Sequence, residues 1–204
     1  MTYRVTFVCT GNICRSPMAE HVLRGRLGRE GLGARVEVDS SGTGGWHSGD
    51  PADHRTVRVL RQHGYTSAHR ARRFRQEWFD SYDLILAMDT GHLRQLRQLA
   101  RGPQDAAKIK LLRSYDPAAG TRLDVPDPYY GGGAEFEHVL DLIEAAMPRL
   151  IRDIKTALAA EPEDTEEADE SLDEDGDADL ADLEVNAGVN AAVIAPVNGS
   201  GLRR

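Results

Sequence analysis

The stretch Tyr3-Arg-Val-Thr-Phe-Val-Cys9-Thr-Gly-Asn-Ile-Cys-Arg-Ser-Pro17 decides how the rest of the chain folds. From Tyr3 to Val8 apolar and polar residues alternate with enough β-branching for a strand, and no linker separates that strand from the loop beginning at Cys9. Ser16 is a natural helix N-cap, Pro17 suits the first helical position, Glu20 belongs to the first turn, and Gly31 or Gly33 ends the element. The unit is therefore strand, tight loop, helix. Further along, Val36 to Asp39 reads as a second strand. Asp50-Pro51 repeats the cap-then-proline signal and opens a helix through Val57 and Leu60 to His63, stopped by Gly64. Asp83 to Met88 is a third strand, apolar enough to be covered on both faces. A helix from Thr90 to Leu99, a strand from Ile109 to Leu112 and a loop from Ser114 to Gly133 follow. The last helix sets Phe136, Val139, Leu140, Ile143, Met147, Leu150, Ile151, Ile154 and Leu158 on one face, with a kink expected at Pro148. Alternating strands and helices predict an α/β three-layer sandwich: a small central parallel sheet of about four strands, helices on both faces, and a ligand site at the carboxyl edge of the strands, where Cys9 lies.

Charge divides the chain. Its 204 residues carry a formal −8, but 14 acidic residues and no Lys or Arg fall between Glu161 and Glu184. Residues 1–160 hold 23 bases against 19 acids, a net +4, while 161–204 carry −12. The expected organisation is one domain over 1–160 and an acidic disordered tail over 161–204. No apolar stretch approaches the roughly 20 residues of a membrane span and no signal peptide is visible, so a cytoplasmic chain is expected. Cys9 and Cys14 are the two cysteines; without clustered histidines they are too few for a zinc site or a disulfide framework. The cluster Arg70, Arg72, Arg73 and Arg75 reads as a solvated face and not a nucleic-acid site, because only Phe74 accompanies it. His47 and His69 read as packing residues.

Between a strand and a helix, Cys9 to Ser16 has a specific chemistry. Gly11 and Asn12 tolerate left-handed backbone angles that let successive amides point inward, forming a nest for a tetrahedral oxyanion above the helix N-terminus. Arg15 offers a fork to two oxygens of that anion. The same positive field, with the Ser16 hydroxyl, favours Cys9 as a thiolate nucleophile. A phosphate cradle with a thiolate at its base implies phosphoryl transfer to sulfur. A phenol leaving group, with a pKa of about 10, then needs an acid. Asp127, in the stiff segment Val125-Pro-Asp-Pro-Tyr-Tyr-Gly131, is the best candidate, with Tyr129, Tyr130 and Trp46 as walls for an aromatic ring. Cys14 is expected to capture an oxidised Cys9 as a disulfide.

These residues carry a resemblance. The Cys9 to Pro17 loop with Met18-Ala-Glu20, Asp39-Ser-Ser-Gly-Thr43, Ser114-Tyr-Asp-Pro117 and Asp127-Pro-Tyr-Tyr-Gly131, in this order, resemble the low-molecular-weight protein tyrosine phosphatase family, most of all its actinobacterial branch, over residues 1 to about 158. The resemblance implies hydrolysis of phosphotyrosine in proteins through a phosphocysteine, without metal or cofactor. Cys9 is then the nucleophile, Arg15 the phosphate ligand and Asp127 the acid and later base. Ser16 supports the thiolate, Asn12 holds the loop, and Thr10, Gly11, Ile13 and Cys14 complete the cradle. Trp46 and Tyr129 flank the ring beside Tyr130, and a monomer without nucleic-acid or membrane partners is expected. Two relatives of the fold are disfavoured. An arsenate reductase needs resolving cysteines beyond Cys14, and an arginine phosphatase carries Thr where this loop has Ile13, an apolar contact for a phenyl ring.

Overall fold

Strand β1, Tyr3–Cys9, is the central organiser because the alternation of its side chains feeds two cores. Val5, Phe7 and Cys9 point into one apolar cluster and Val8 into the other. In the computed structural model, which describes residues 2–160, β1 pairs in parallel on both sides. On one side lies β2, Val36–Gly42, in register from Tyr3 opposite Val36 to Cys9 opposite Gly42. On the other lies β3, Leu84–Ala87, which pairs in turn with β4, Ile109–Leu111. The order β2-β1-β3-β4 makes β1 the point from which the chain winds in both directions. A crevice opens at the carboxyl ends of the strands at such a switch point, and Cys9 stands in it.

Three layers result. Helices α1 (Arg15–Arg29), α2 (His54–Gln62) and α5 (Gly133–Ala160) pack on one another and supply Met18, Leu23, Leu60, Phe136 and Ile143 to the larger core. Helix α3, Thr90–Leu99, covers the opposite face with Leu96 against Ile85 and Ile109. A short α4, Pro103–Ala107, and two 3-10 turns, at Gln76–Ser81 and Leu112–Tyr115, are additions to the expected elements. The expected fold class is the observed one. The acidic segment expected over 161–204 lies outside the described residues.

Two local expectations are corrected. Ser16 is not the cap of α1: that helix starts at Arg15, after Cys14, with no side-chain cap. The Ser16 hydroxyl is instead turned inward, between Cys9 Sγ, Asn12 Nδ2 and the Ser41 carbonyl. Nor does α2 begin at Asp50-Pro51. The Asp53 N–H is spent on the Ile13 carbonyl (2.8 Å) and the Asp53 carboxylate caps the helix through Arg55 N–H (2.8 Å), so the helix begins only at His54. Helix α5 runs as one element from Gly133 through Pro148 to Ala160.

Candidate active site

The loop between β1 and α1 is shaped by Asn12. Its φ of 58° is the one positive value at a non-glycine position among the described residues, and Asn is a residue type that tolerates this region. Its polar groups are fully engaged. The amide nitrogen donates to Cys9 Sγ (3.3 Å), and Nδ2 donates to Ser16 Oγ and Ser40 Oγ (2.9 Å each). Oδ1 accepts from Arg72 N–H (2.8 Å), and the main-chain carbonyl accepts from His69 Nε2 (2.7 Å). The backbone turn that places an amide against the thiol is thus held from four directions, in a wholly buried residue. Gly42 at the end of β2 permits the loop to approach, since a Cβ there would lie 2.6 Å from the Thr10 carbonyl oxygen.

Cys9 Sγ lies 3.0 Å from Ser16 Oγ as well as taking the Asn12 N–H. Arg15, nearly buried at 3% exposure, is held on one edge. Its Nη1 donates to Asp89 Oδ2 (2.9 Å) and to the Val125 carbonyl (3.1 Å), while Nη2 reaches Asp127 Oδ2 (2.8 Å). Asp89 caps α3 through His92 N–H (2.8 Å) and lies 2.9 Å from His92 Nδ1, and His92 Nε2 in turn meets Thr10 Oγ1 (2.8 Å). Burial pushes the Asp89 carboxyl upward, but the His92 hydrogen bonds and the Arg15 charge outweigh it and hold the carboxyl well below its usual range. Burial also drives the Cys14 thiol up to about 12, with Asp53 adding to the effect, so Cys14 stays protonated.

The loop bearing Asp127 is tied down at several points. Val125 N–H donates to the Met88 carbonyl (2.8 Å), and the Asp124 carboxylate accepts from Thr90 N–H (2.8 Å) and hydroxyl (3.1 Å). Asp127 Oδ1 takes the Tyr129 N–H (3.2 Å) in an Asx turn. The pocket so enclosed has about 410 Å³. It brings together Cys9, Thr10, Gly11, Ile13, Cys14, Arg15, Trp46, Asp127, Tyr129 and Tyr130, all expected from the sequence, and adds His47. The other two expected residues, Asn12 and Ser16, are buried behind the lining and position it. Trp46 is 70% exposed, and Tyr129 and Tyr130 meet edge to face with centroids 5.0 Å apart. The arrangement is a buried thiol, a fixed guanidinium and a half-exposed carboxyl lining one pocket.

The model of the family "Low molecular weight phosphotyrosine protein phosphatase" matches residues 4–161. The chain belongs to this family. A low molecular weight protein-tyrosine-phosphatase of Streptomyces coelicolor is 61% identical over 156 residues, 76% of this chain and 95% of that protein. Low molecular weight protein-tyrosine phosphatase A of Mycobacterium tuberculosis is 52% identical over 147 residues, 72% of this chain and 88% of its own length. Among solved structures, a protein tyrosine phosphatase of Entamoeba histolytica with Hepes in the active site superposes with a TM-score of 0.73 at 33% identity, covering 77% of this chain and 99% of that one. YfkJ of Bacillus subtilis gives 0.71 at 37%, covering 77% and 97%.

Several supports of this phosphatase-family site were not visible in the sequence. Asp89 and His92, which orient Arg15 and Thr10, are among them, although Asp89 directly follows Met88 at the carboxyl edge where a parallel sheet builds its site. His69, expected to be a packing residue, instead holds the Asn12 carbonyl. Arg72, half-exposed in an otherwise exposed arginine cluster, also serves the site: besides its backbone bond to Asn12 it donates to the Ser40 carbonyl (3.1 Å) and lies 2.5 Å from the Asp39 carboxylate. Glu20, His21 and His69 converge among the described residues, without either cysteine. No helix among those residues is long and apolar enough to cross a membrane.

Proposed function

We propose that the chain hydrolyses phosphotyrosine in proteins, with Cys9 as nucleophile, Arg15 as phosphate ligand and Asp127 as general acid and base. The observation that carries this reading is the single pocket in which Cys9 Sγ, supported by Asn12 N–H and Ser16 Oγ, shares walls with Arg15 and Asp127. In the first step the Cys9 thiolate attacks phosphorus opposite the ester oxygen. The P–S bond forms as the P–O bond breaks, and Asp127 delivers its proton to the tyrosyl oxygen. Arg15 exchanges its Asp127 partner for phosphoryl oxygens while Asp89 and the Val125 carbonyl keep its orientation, so little reorganisation accompanies charge development. In the second step Asp127 takes a proton from water, the water oxygen attacks phosphorus, and the P–S bond breaks. The sulfur leaves as a thiolate stabilised by Asn12 N–H and the Ser16 hydroxyl.

Ring selection follows from the rim. Ile13, Trp46 and Tyr129 offer apolar and aromatic contacts that suit a phenyl ring, and Ile13 gives a guanidinium no hydrogen-bond acceptor. The chain acts as a cytoplasmic monomer on phosphoproteins and needs no metal or cofactor for turnover. Activity against matched phosphotyrosine, phosphoserine and phosphoarginine peptides, with Cys9→Ser as control, tests the reading. Turnover of phosphotyrosine alone is expected; faster turnover of phosphoarginine, or activity that survives in Cys9→Ser, would contradict it.

A further inference from the structure

Between Asp53 and Glu77 the chain carries seven arginines and no acidic residue. Two of the arginines nearest the catalytic loop are spent on the protein itself: Arg70 Nη1 donates to the Gly49 carbonyl (2.9 Å), and Arg72 is bound to Asp39 and the Ser40 carbonyl. Arg73 and Arg75 are exposed, and their guanidinium groups have neither ion-pair nor hydrogen-bond partner among the described residues. Nothing in the proposed chemistry uses them. We propose that Arg73 and Arg75 form a docking surface beside the pocket for acidic residues that flank the phosphotyrosine of the substrate protein, a preference that presupposes the phosphotyrosine chemistry proposed above.

Backbone register puts these side chains next to the site. Arg73 bridges Gly42 in parallel, and Gly42 on its other side is in register with Cys9. Arg73, Gly42 and Cys9 therefore form one row across the carboxyl edge of the sheet, and with strands about 4.8 Å apart the Arg73 backbone lies about 10 Å from that of the nucleophile. The row is fixed by two hydrogen bonds, from Gly42 N–H to the Arg72 carbonyl and from Phe74 N–H to the Gly42 carbonyl (2.8 Å each). Side chains alternate along an extended chain. Phe74 enters the smaller core, so Arg73 is turned to the other face of the sheet, which it shares with Cys9. Arg75, with an extended φ of −120° and ψ of 148°, returns to the same side. The Arg73 stem lies along Gly45, where an added Cβ would meet its Cδ at 3.2 Å, and the next residue, Trp46, lines the pocket. The stem is thus seated against the segment that carries the aromatic wall.

An extended peptide advances about 3.3 Å per residue, so with its phosphotyrosine in the pocket a side chain about three residues away reaches this row. Carboxylates fit the chemistry there, because a guanidinium pairs with them through two parallel hydrogen bonds. The acids of the surrounding segments do not compete: the Asp50 carboxylate is held by His47 Nδ1 (3.0 Å) and that of Asp39 by Arg72. A nucleic-acid strand fits less well, since its bases need open aromatic faces to stack on. Phe74 is 3% exposed, and the face of the Trp78 ring is taken by Arg72, 4.6 Å from its centroid. Charges at such a rim choose the partner and speed its encounter more than they tighten the final complex.

The test uses the full chain and phosphotyrosine peptides that differ only in their flanks: Glu at the second to fourth positions before the phosphotyrosine, Glu at the same positions after it, or Ala at all of them. One of the glutamate peptides is expected to exceed the alanine peptide in kcat/KM by about two- to thirtyfold, the range for two exposed ion pairs. The difference should lie in KM and shrink above about 0.5 M salt. Arg73→Gln with Arg75→Gln, which keeps both stems, should bring the ratio close to one. Arg149→Gln with Arg152→Gln removes the same charge from exposed positions of α5 about 24 Å along the helix from Gly133 and should leave the ratio unchanged. A wild-type ratio below about two for both glutamate peptides, a ratio that survives in the Arg73 and Arg75 variant, or an equal loss in the α5 variant overturns the docking surface and leaves the phosphotyrosine reading standing. Absence of turnover of every peptide overturns both. A single-stranded oligonucleotide that binds the wild type and not the Arg73 and Arg75 variant, with no peptide preference, overturns the surface in favour of nucleic acid.

Discussion

Replacing Asp127 by Ala should separate catalysis from stability. General acid catalysis contributes about 10²- to 10⁴-fold, or about 3 to 5 kcal/mol of barrier, and the tyrosyl oxygen, with a phenol pKa of about 10, depends on it. The structural cost is small by comparison. The Asp127 side chain is 48% exposed, and a pair so open to water contributes about 0.2 to 1 kcal/mol. Arg15 does not become an unpaired buried charge, because Asp89 and the Val125 carbonyl still hold Nη1. The expected result is a fall in kcat/KM for a phosphotyrosine peptide of about 10²- to 10⁴-fold, with urea stability changed by less than about 1 kcal/mol. A nitrophenyl ester, whose oxygen leaves readily without a proton, should lose markedly less. The assay pairs steady-state kcat/KM on both esters with urea denaturation. Equal losses on the two esters, or a loss accompanied by gross destabilisation, would refute the assignment of Asp127 as proton donor.

Ser16→Ala removes one of the two direct partners of Cys9 Sγ and an acceptor of Asn12 Nδ2. Since hydrogen bonds to charged groups are worth about 1.5 to 3 kcal/mol, decay of the phosphoenzyme in rapid-quench measurements should slow by about ten- to a hundredfold. Asp89→Asn should destabilise the fold at neutral pH, by about 1.5 to 3 kcal/mol if one charged hydrogen bond is lost. The folded-state carboxyl is held low, so its stabilisation is present above the unfolded value of about 3.9 and is lost as pH falls below it. Urea melts of wild type and variant should therefore converge toward pH 3; a gap that widens on acidification contradicts this. Peroxide should inactivate the wild type reversibly and Cys14→Ser irreversibly. Peroxide oxidises the Cys9 thiolate to a sulfenic acid, which the Cys14 thiol condenses with, releasing water and forming a disulfide. Equal rescue of both proteins by added thiol would exclude that protection.

The strand, loop and helix around Cys9 were legible because each signal there is local: alternation in β1, small or amide residues in the turn, and proline in the first helical turn. Asp127 was legible for a similar reason, since two prolines and two tyrosines mark its loop. What escaped was the support, because it runs through backbone atoms. No spacing reveals that His69 reaches the Asn12 carbonyl, that Arg72 offers its amide to Asn12 Oδ1, or that the Val125 carbonyl holds Arg15. Ser16 and Asp50 were misplaced as helix caps for one shared reason. Capping preference describes a helix end facing solvent, and both helices begin against the catalytic loop, where Ser16 is turned inward and Asp53 caps α2. The convergence of Glu20, His21 and His69 depends on packing between α1 and a distant segment, to which periodicity is blind.

The most direct test of the account is to quench the full-length protein during turnover of a phosphotyrosine peptide and locate the trapped phosphoryl group by mass spectrometry. The account predicts one phosphoryl group on Cys9, absent from Cys9→Ser. A phosphoryl group on any other residue, or turnover with no phosphoenzyme under rapid quench even in Ser16→Ala, would contradict it.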